Sequence, residues 1–286
     1  MPDSSKYLLP EPDGLPTRPS RDYARYKLAA VQHYLSIANT AMYARPWYAR
    51  NYLDLQAGPG KINIGQEVLL GSPLIALTAP HPADHFIFNE LDDEMHAALS
   101  KRVEASPLRN RVTIYNGNVN EVVDKVCEYI ETQDREAHRS GKWSTLNIAF
   151  LDPEGLELHW NTVAKLAQMR RMDLIINVST QGLVRNIGAG NHEIVTTFFG
   201  TPRWKQVYQQ AGRMTRRFLI DFYRKNLEEF GYHIEVDPEW GSHDLRVKNS
   251  KNVEVYSLVF ASKHPLGDKL WTEAGHSSQP PRLPGF

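Results

Sequence analysis

Between residues 50 and 180, short apolar runs of strand length alternate with stretches whose apolar residues recur at helical spacing. The runs are 51–57, His85–Glu90, Val112–Tyr115, Leu146–Leu151 and Asp173–Val178. Before them, Tyr23, Tyr26, Leu28, Val31, Leu35 and Ala38 form one helical stripe, predicting a helix from Asp22 to Met42 with Pro46 beyond its end. Between them, the stripe Met95, Leu99, Val103 predicts a helix over Asp92–Glu104, and Val119, Val122, Val123, Val126, Cys127, Ile130 predicts the next. A further helix is expected over Trp160–Met169. Residues 132–144 are polar and read as a surface excursion. Ile62, Ile64, Val68 and Leu69 around Gly65 suggest a small hairpin, and Ser72-Pro73 an N-cap with proline in the first turn of a helix ending near Thr78. Helix signals fill 191–230, and His233–Val236 with Val253–Ala261 read as a closing strand pair.

Five runs alternating with helices require right-handed crossovers and hence a parallel sheet. The last pair, joined without an obvious helix, adds an antiparallel edge. The expected fold class is α/β: Rossmann-like, of the class I methyltransferase kind, a mostly parallel seven-stranded sheet with a reversed edge strand and helices on both faces.

The ends differ from the middle. Residues 1–20, with Pro2, Pro10, Pro12, Pro16 and Pro19, read as an extended N-terminal arm, disordered or draped on the surface, and 272–286 as a flexible C-terminal tail. One domain over 21–271 is expected between them. Lys+Arg and Asp+Glu both total 33, so no global field advertises nucleic acid or membrane, and a nucleic-acid surface would have to be local. No apolar run approaches bilayer length, and the first residues do not have the pattern of a signal peptide; a cytoplasmic location and no membrane partner are expected. Cys127 is the single cysteine and sits in an apolar stripe, which points to an inert core residue and excludes an internal disulfide. The 11 histidines form no pair at metal spacing, so no metal is expected.

The chemistry-bearing residues gather where the runs end. Tyr52-Leu53-Asp54-Leu55-Gln56-Ala57-Gly58-Pro59-Gly60 is a buried-strand pattern running into an acid and a glycine turn, the way a parallel strand hands its chain to a nucleotide-binding loop. A pyrophosphate site wants a helix N-terminus within a few residues, yet the clearest helix start is Ser72. The delay favours an adenosyl ligand without phosphate, S-adenosylmethionine, over a dinucleotide; a purely structural turn is the alternative. Glu90, directly after Phe86-Ile87-Phe88, suits both hydroxyls of a ribose, or else opens the next helix. Asn116-Gly117-Asn118 either offers an amide to an adenine edge or makes a turn capped by asparagine. Asp152, in Asp152-Pro153-Glu154-Gly155, stands where open α/β sheets face the reactive end of a ligand, and suits a group that orients or deprotonates an acceptor; a turn is again the alternative. Between 203 and 225, Arg203, Lys205, Arg213, Arg216, Arg217, Arg224 and Lys225 interleave with Trp204, Tyr208, Phe218, Phe222 and Tyr223. This is either a phosphate-tracking face with stacking rings or, the favoured reading, amphipathic helix with buried aromatics.

Taken in order, the Asp54–Gly60 motif, Gly71-Ser72-Pro73-Leu74, Asn89-Glu90, Gly117-Asn118-Val119-Asn120, Leu151-Asp152-Pro153-Glu154-Gly155-Leu156 and Ala261-Ser262-Lys263-His264-Pro265 resemble the three-Cys-motif partner family of bacteria, over about residues 22–271. The resemblance implies a class I S-adenosylmethionine-dependent methyltransferase fold and a separate cysteine-motif protein as partner. Two positions depart from the related patterns: Asn118 replaces an aspartate, and Glu154-Gly155 replaces the proline and aromatic with which base-amine methyltransferases hold a flipped base. The expectation is therefore a methyltransferase with Asp54, Gly58 and Gly60 on the methionine end, Glu90 on the ribose, Asn118 on the adenine and Asp152 at the acceptor, the acceptor being a nucleic acid if the 203–225 segment serves it. The rivals are a non-catalytic or weakly cofactor-binding partner protein on the same fold and, more distantly, an NAD-dependent oxidoreductase.

Overall fold

The structure, a computed structural model, describes residues 4–233, 236–237, 241–242, 245–248 and 254–278. The five runs form the parallel strands β1 (Arg50–Asp54), β2 (His85–Glu90), β3 (Val112–Asn116), β4 (Leu146–Leu151) and β5 (Met172–Val178). With β6 (Leu245–Lys248) and β7 (Glu254–Ala261) they make one seven-stranded sheet in the order β6-β7-β5-β4-β1-β2-β3. β7 lies antiparallel to both β5 and β6; all other pairs are parallel. This is the Rossmann-like class I methyltransferase topology expected from the pattern.

Helices cover both faces, because the parallel strands bury alternate residues on each side. Leu53, Ile87, Ala149, Leu151, Leu174 and Ile176 join one core with α4 (Val119–Arg139), α5 (Trp160–Gln168), α6 (Thr180–Gly188), α7 (His192–Phe199), α8 (Trp204–Ala211) and α9 (Thr215–Glu228). Tyr52, Phe86, Phe88, Ile148, Phe150 and Ile175 join the other with α1 (Tyr23–Met42), α2 (Ser72–Thr78), α3 (Asp93–Glu104) and α10 (Pro265–Ser278).

Several boundaries differ from expectation, each for a local reason. The partner of β7 is Leu245–Lys248, not His233–Val236. Leu245 and Val247 are buried on alternate positions and Arg246 is exposed, the pattern of an edge strand with one covered face. His233 makes only an isolated bridge to Ser262; residues 234–235 and 253 lie outside the described residues. The polar stretch 132–139 is the end of α4 rather than an excursion, since Gln133 and Ala137 extend the buried stripe and Gln133 Oε1 accepts from Asn51 Nδ2 at 2.7 Å. The segment read as a tail from 272 begins inside α10, where Trp271 and Ala274 are buried and Trp271 stacks on Phe260 with ring centroids 5.0 Å apart. Residues 279–286 lie outside the described residues. Gly71, not Ser72, occupies the cap of α2: a Cβ there would stand 2.9 Å from the Gly60 carbonyl oxygen, so no side chain fits.

The N-terminal arm is built into the domain. Asp13 is buried between two buried cations, Lys61 Nζ at 2.9 Å and Arg102 Nη2 at 2.8 Å. Lys61 also donates to the carbonyls of Lys6 and Glu11, and Arg102 to those of Leu15, Pro16 and Pro59. Five carbonyls thus share the donors that Asp13 leaves over, which is what a buried ion group needs to repay its desolvation. Burial alone would raise the Asp13 carboxyl, but the bonds from Arg102 and Lys61 outweigh it and hold it at about 2. Beyond Asp13, Arg18 and Pro19 pair in parallel with Ile62 and Asn63 of the Lys61–Leu70 hairpin, the small hairpin expected after the glycine turn.

Candidate active site

The chain leaves β1 for β2 and β3 on one side of the sheet and returns to β4 and β5 on the other. The carboxyl ends of β1 and β4 therefore flank the switch point at which open α/β sheets receive ligands. Asp54 ends β1, Glu90 ends β2 and Asp152 follows β4, so the three predicted acids do converge there.

Asp54 is fully buried, and no hydrogen bond of normal geometry reaches either carboxylate oxygen. Burial, and then the nearby Asp152 and Glu90 charges, push its carboxyl up to about 7; the Ser72 hydroxyl and Gln56 N–H stand close enough only to offset part of this. Orphaned buried acceptors are costly and rare, and others lie alongside: Gln56 Oε1 in the same loop, Asn89 Oδ1 at the end of β2 and Asn177 Oδ1 on β5.

The loop after Asp54 is shaped by glycine. Gly58 and Gly60 have φ of +63° and +89°, the left-handed region that L side chains avoid. Gly60 accepts from Gly71 N–H at 2.7 Å, pinning the loop to the start of α2. The hairpin separates the turn from α2 in sequence, and the start of α2 then returns to the turn. Asn89 ties the three strand ends together by donating to the carbonyls of Leu55 and Gly117 at 2.9 and 3.0 Å.

Glu90 is buried and already engaged. Its Oε2 accepts from Gly58 N–H at 2.7 Å and its Oε1 from Asp92 N–H at 3.1 Å, with Arg18 Nη2 3.4 Å from Oε2. Asp152 is paired too: Lys27 Nζ of α1 donates to both oxygens at 2.8 and 2.6 Å, and Asn177 Nδ2 donates to Oδ1 at 2.7 Å. Lys27 also lies 5.6 Å from the centre of the Tyr256 ring on β7. Asn118 stands at the predicted strand end but serves as the N-cap of α4, its Oδ1 accepting from Asn120 N–H at 3.0 Å. Asn120 bonds in turn to Glu157, His159 and Thr162, joining the β3 turn to the segment after β4.

Sequence reasoning missed Lys27, Arg18 and Asn177. Asn177 carried a signal, a polar residue inside the apolar run of β5. Lys27 and Arg18 carried none, since a lysine on a helix and an arginine among prolines are ordinary. In the 203–225 segment, Trp204 and Tyr223 are core residues, and Tyr223 packs on Phe198 and Trp160 with ring centroids 5.0 and 5.1 Å away. Phe218 alone of the five rings is exposed; Arg203, Lys205 and Lys225 are exposed as well. Among the described residues no group of three His, Cys, Asp or Glu is placed to hold a metal, and no helix is long and apolar enough to cross a membrane.

No family model and no curated protein matches the chain. Among solved structures, it is similar to a protein from Legionella pneumophila at 11% identity and a TM-score of 0.46, covering 87% of this chain and 90% of that one. It is also similar to the O-methyltransferase from Bacillus cereus solved with SAH (11% identity, TM-score 0.45, covering 87% and 84%). A third is the O-methyltransferase TomG from Streptomyces achromogenes, solved with SAM (10% identity, TM-score 0.43, covering 92% and 100%). At such scores the fold assignment rests on the strand order itself.

Proposed function

We propose that the protein is an S-adenosylmethionine-dependent methyltransferase. One observation supports this above the others: a fully buried Asp54 without a well-formed hydrogen bond, beside a positive-φ glycine turn and flanked by Glu90 and Asp152 at the switch point. A buried acceptor of this kind suits a ligand that brings its own donors, as the ammonium and hydroxyls of this cofactor do. The N–H of Gly71, at the cap of α2, is spent on the Gly60 carbonyl rather than free for a pyrophosphate, which disfavours NAD.

In this reading Asp54 and the Gly58–Gly60 loop receive the amino-acid end, and Glu90 accepts from the ribose hydroxyls with the lone pairs that Gly58 and Asp92 leave over. Asn118, whose Oδ1 is spent on the helix cap, offers its Nδ2 to the adenine edge. The cofactor supplies an electrophilic methyl group on a sulfonium. Asp152, oriented by Lys27 and Asn177, positions the acceptor, so rate acceleration comes mainly from placement. Exposed Arg203, Lys205 and Lys225 favour a nucleic-acid acceptor. The ordered motifs favour membership of the three-Cys-motif partner family, with its separate cysteine-motif protein.

A second reading, a partner protein that binds cofactor without transfer, is favoured by one feature: Asp152 and Glu90 are both already paired within the chain. Two measurements decide. Calorimetry should show S-adenosylhomocysteine binding that Glu90→Ala weakens; no binding by the intact protein excludes both cofactor readings. Labelled methyl incubated with RNA, DNA and protein fractions should appear in one of them and vanish with Asp152→Ala. Binding without transfer selects the partner reading.

A further inference from the structure

Arg18 belongs to the arm, yet its side chain reaches the strand ends at the switch point. A Cβ built on Gly58 would lie 3.7 Å from Arg18 Nε and 3.8 Å from Cζ, so the guanidinium lies over the glycine turn. From there Nη2 is 3.4 Å from Glu90 Oε2 and Nη1 is 3.0 Å from Glu154 Oε1.

The backbone beneath this side chain is fixed on both sides. Asp13 is locked by Lys61 and Arg102, and Arg18 and Pro19 pair with Ile62 and Asn63. Thr17 Oγ1 donates to Asn63 Oδ1 at 3.2 Å, and Ser20 N–H to the Asn63 carbonyl at 2.8 Å. A residue so anchored is part of the wall of the site rather than a cover that comes and goes.

Its present partners hold the guanidinium loosely. The Glu90 contact is longer than a normal charged hydrogen bond. The Glu154 side chain is 74% exposed, and ion pairs of that kind contribute little. Glu154 therefore places a weakly held carboxylate on a guanidinium whose backbone is fixed beside the glycine turn. A planar fork in that position matches an incoming carboxylate in two-point fashion.

We propose that Arg18 is a cofactor-binding residue whose guanidinium receives the α-carboxylate of the cofactor's amino-acid end in place of Glu154. This rests on the methyltransferase reading and assigns to the arm one contact that the strand ends do not provide. The ammonium of the same amino-acid group would then face Asp54, so the two ends of a zwitterion meet opposite charges.

The test compares S-adenosylhomocysteine with 5′-methylthioadenosine, which keeps the adenosine and sulfur but has no carboxylate. Calorimetry with both ligands is run on the full chain and on Arg18→Ala, Arg18→Lys and Glu154→Gln, with melting curves confirming that each folds. Arg18→Ala should weaken S-adenosylhomocysteine about tenfold or more while leaving methylthioadenosine within about twofold. Arg18→Lys should restore part of the loss, and Glu154→Gln should tighten S-adenosylhomocysteine alone. Unchanged S-adenosylhomocysteine binding in Arg18→Ala overturns the assignment. So does equal weakening of both ligands, which marks a structural role, or tightening of both, which marks Arg18 as an obstacle in the ribose position. If the intact protein binds neither ligand, the methyltransferase reading falls and this contact with it, a pattern distinct from the other three.

Discussion

Lys27 Nζ stands 2.8 and 2.6 Å from the two carboxylate oxygens of Asp152, joining helix α1 to the end of β4 across 125 residues of sequence. The pair is partly buried, at 15% and 20% side-chain exposure, so solvent screens it only in part. Asp152 is consequently neutralised from within, and a nearby sulfonium feels less of its charge. Lys27→Met should raise the preference for S-adenosylmethionine over the uncharged S-adenosylhomocysteine. Parallel calorimetric titrations of both ligands measure the ratio; an unchanged ratio means that Asp152 lies beyond electrostatic reach of the sulfur.

Asp54 is a liability to the free protein. Its carboxyl sits at about 7 in the fold against an ordinary value of 3.8, so the folded state holds its proton more tightly than the unfolded state does. The group's contribution to stability is therefore full below about pH 4 and declines as pH rises to about 7, a difference of roughly 4 kcal/mol. Asp54→Asn should stabilise the free protein at pH 8 and remove this component of the pH dependence in urea titrations, while weakening S-adenosylhomocysteine. A variant less stable than the parent at pH 8 would contradict this account.

Asp13 has the opposite sign. Held at about 2, it contributes stability above its unfolded value near 3.8 that is lost as pH falls through that window. Arg102→Met leaves the buried Asp13 with the Leu15 N–H and Lys61 as its one cation, and should cost about 3–5 kcal/mol. Denaturant unfolding monitored near neutral pH tests the cost. Hydrogen exchange at residues 13–20 should rise in the variant, because the arm loses its anchor.

Cys127 is half-buried against the core around α4, and burial pushes its thiol up to about 11. At pH 8 it should react with a maleimide or an aromatic disulfide far more slowly than a free thiol, and reach the ordinary rate in denaturant. Fast labelling of the native protein would show that α4 opens readily.

The sheet was legible because buried parallel strands write themselves as apolar runs, and the acids that end β1, β2 and β4 were legible because each interrupts such a run. Gly58 and Gly60 announced the turn by residue type alone. What could not be read were contacts between distant segments. Nothing in Arg18 or Lys27 points to Glu90 or Asp152, and the prolines of the arm suggested mobility when their neighbour Asp13 was a buried anchor. The amide of Asn118 illustrates the reverse limit: its position was legible, but cap and ligand donor use the same residue type at the same place. Leu245–Lys248 was missed because four residues alternate too briefly to stand out, whereas β7, fully apolar from Leu258 to Ala261, was plain.

The arm also fixes an order of assembly. Asp13 bonds to Arg102, 89 residues further along the chain, and Arg18 reaches Glu90, 72 residues away. The arm therefore has no place to dock until two strands, the hairpin and helix α3 have been made. During synthesis the glycine turn stays open to solvent, and the wall that Arg18 provides is raised only after the sheet beneath it exists.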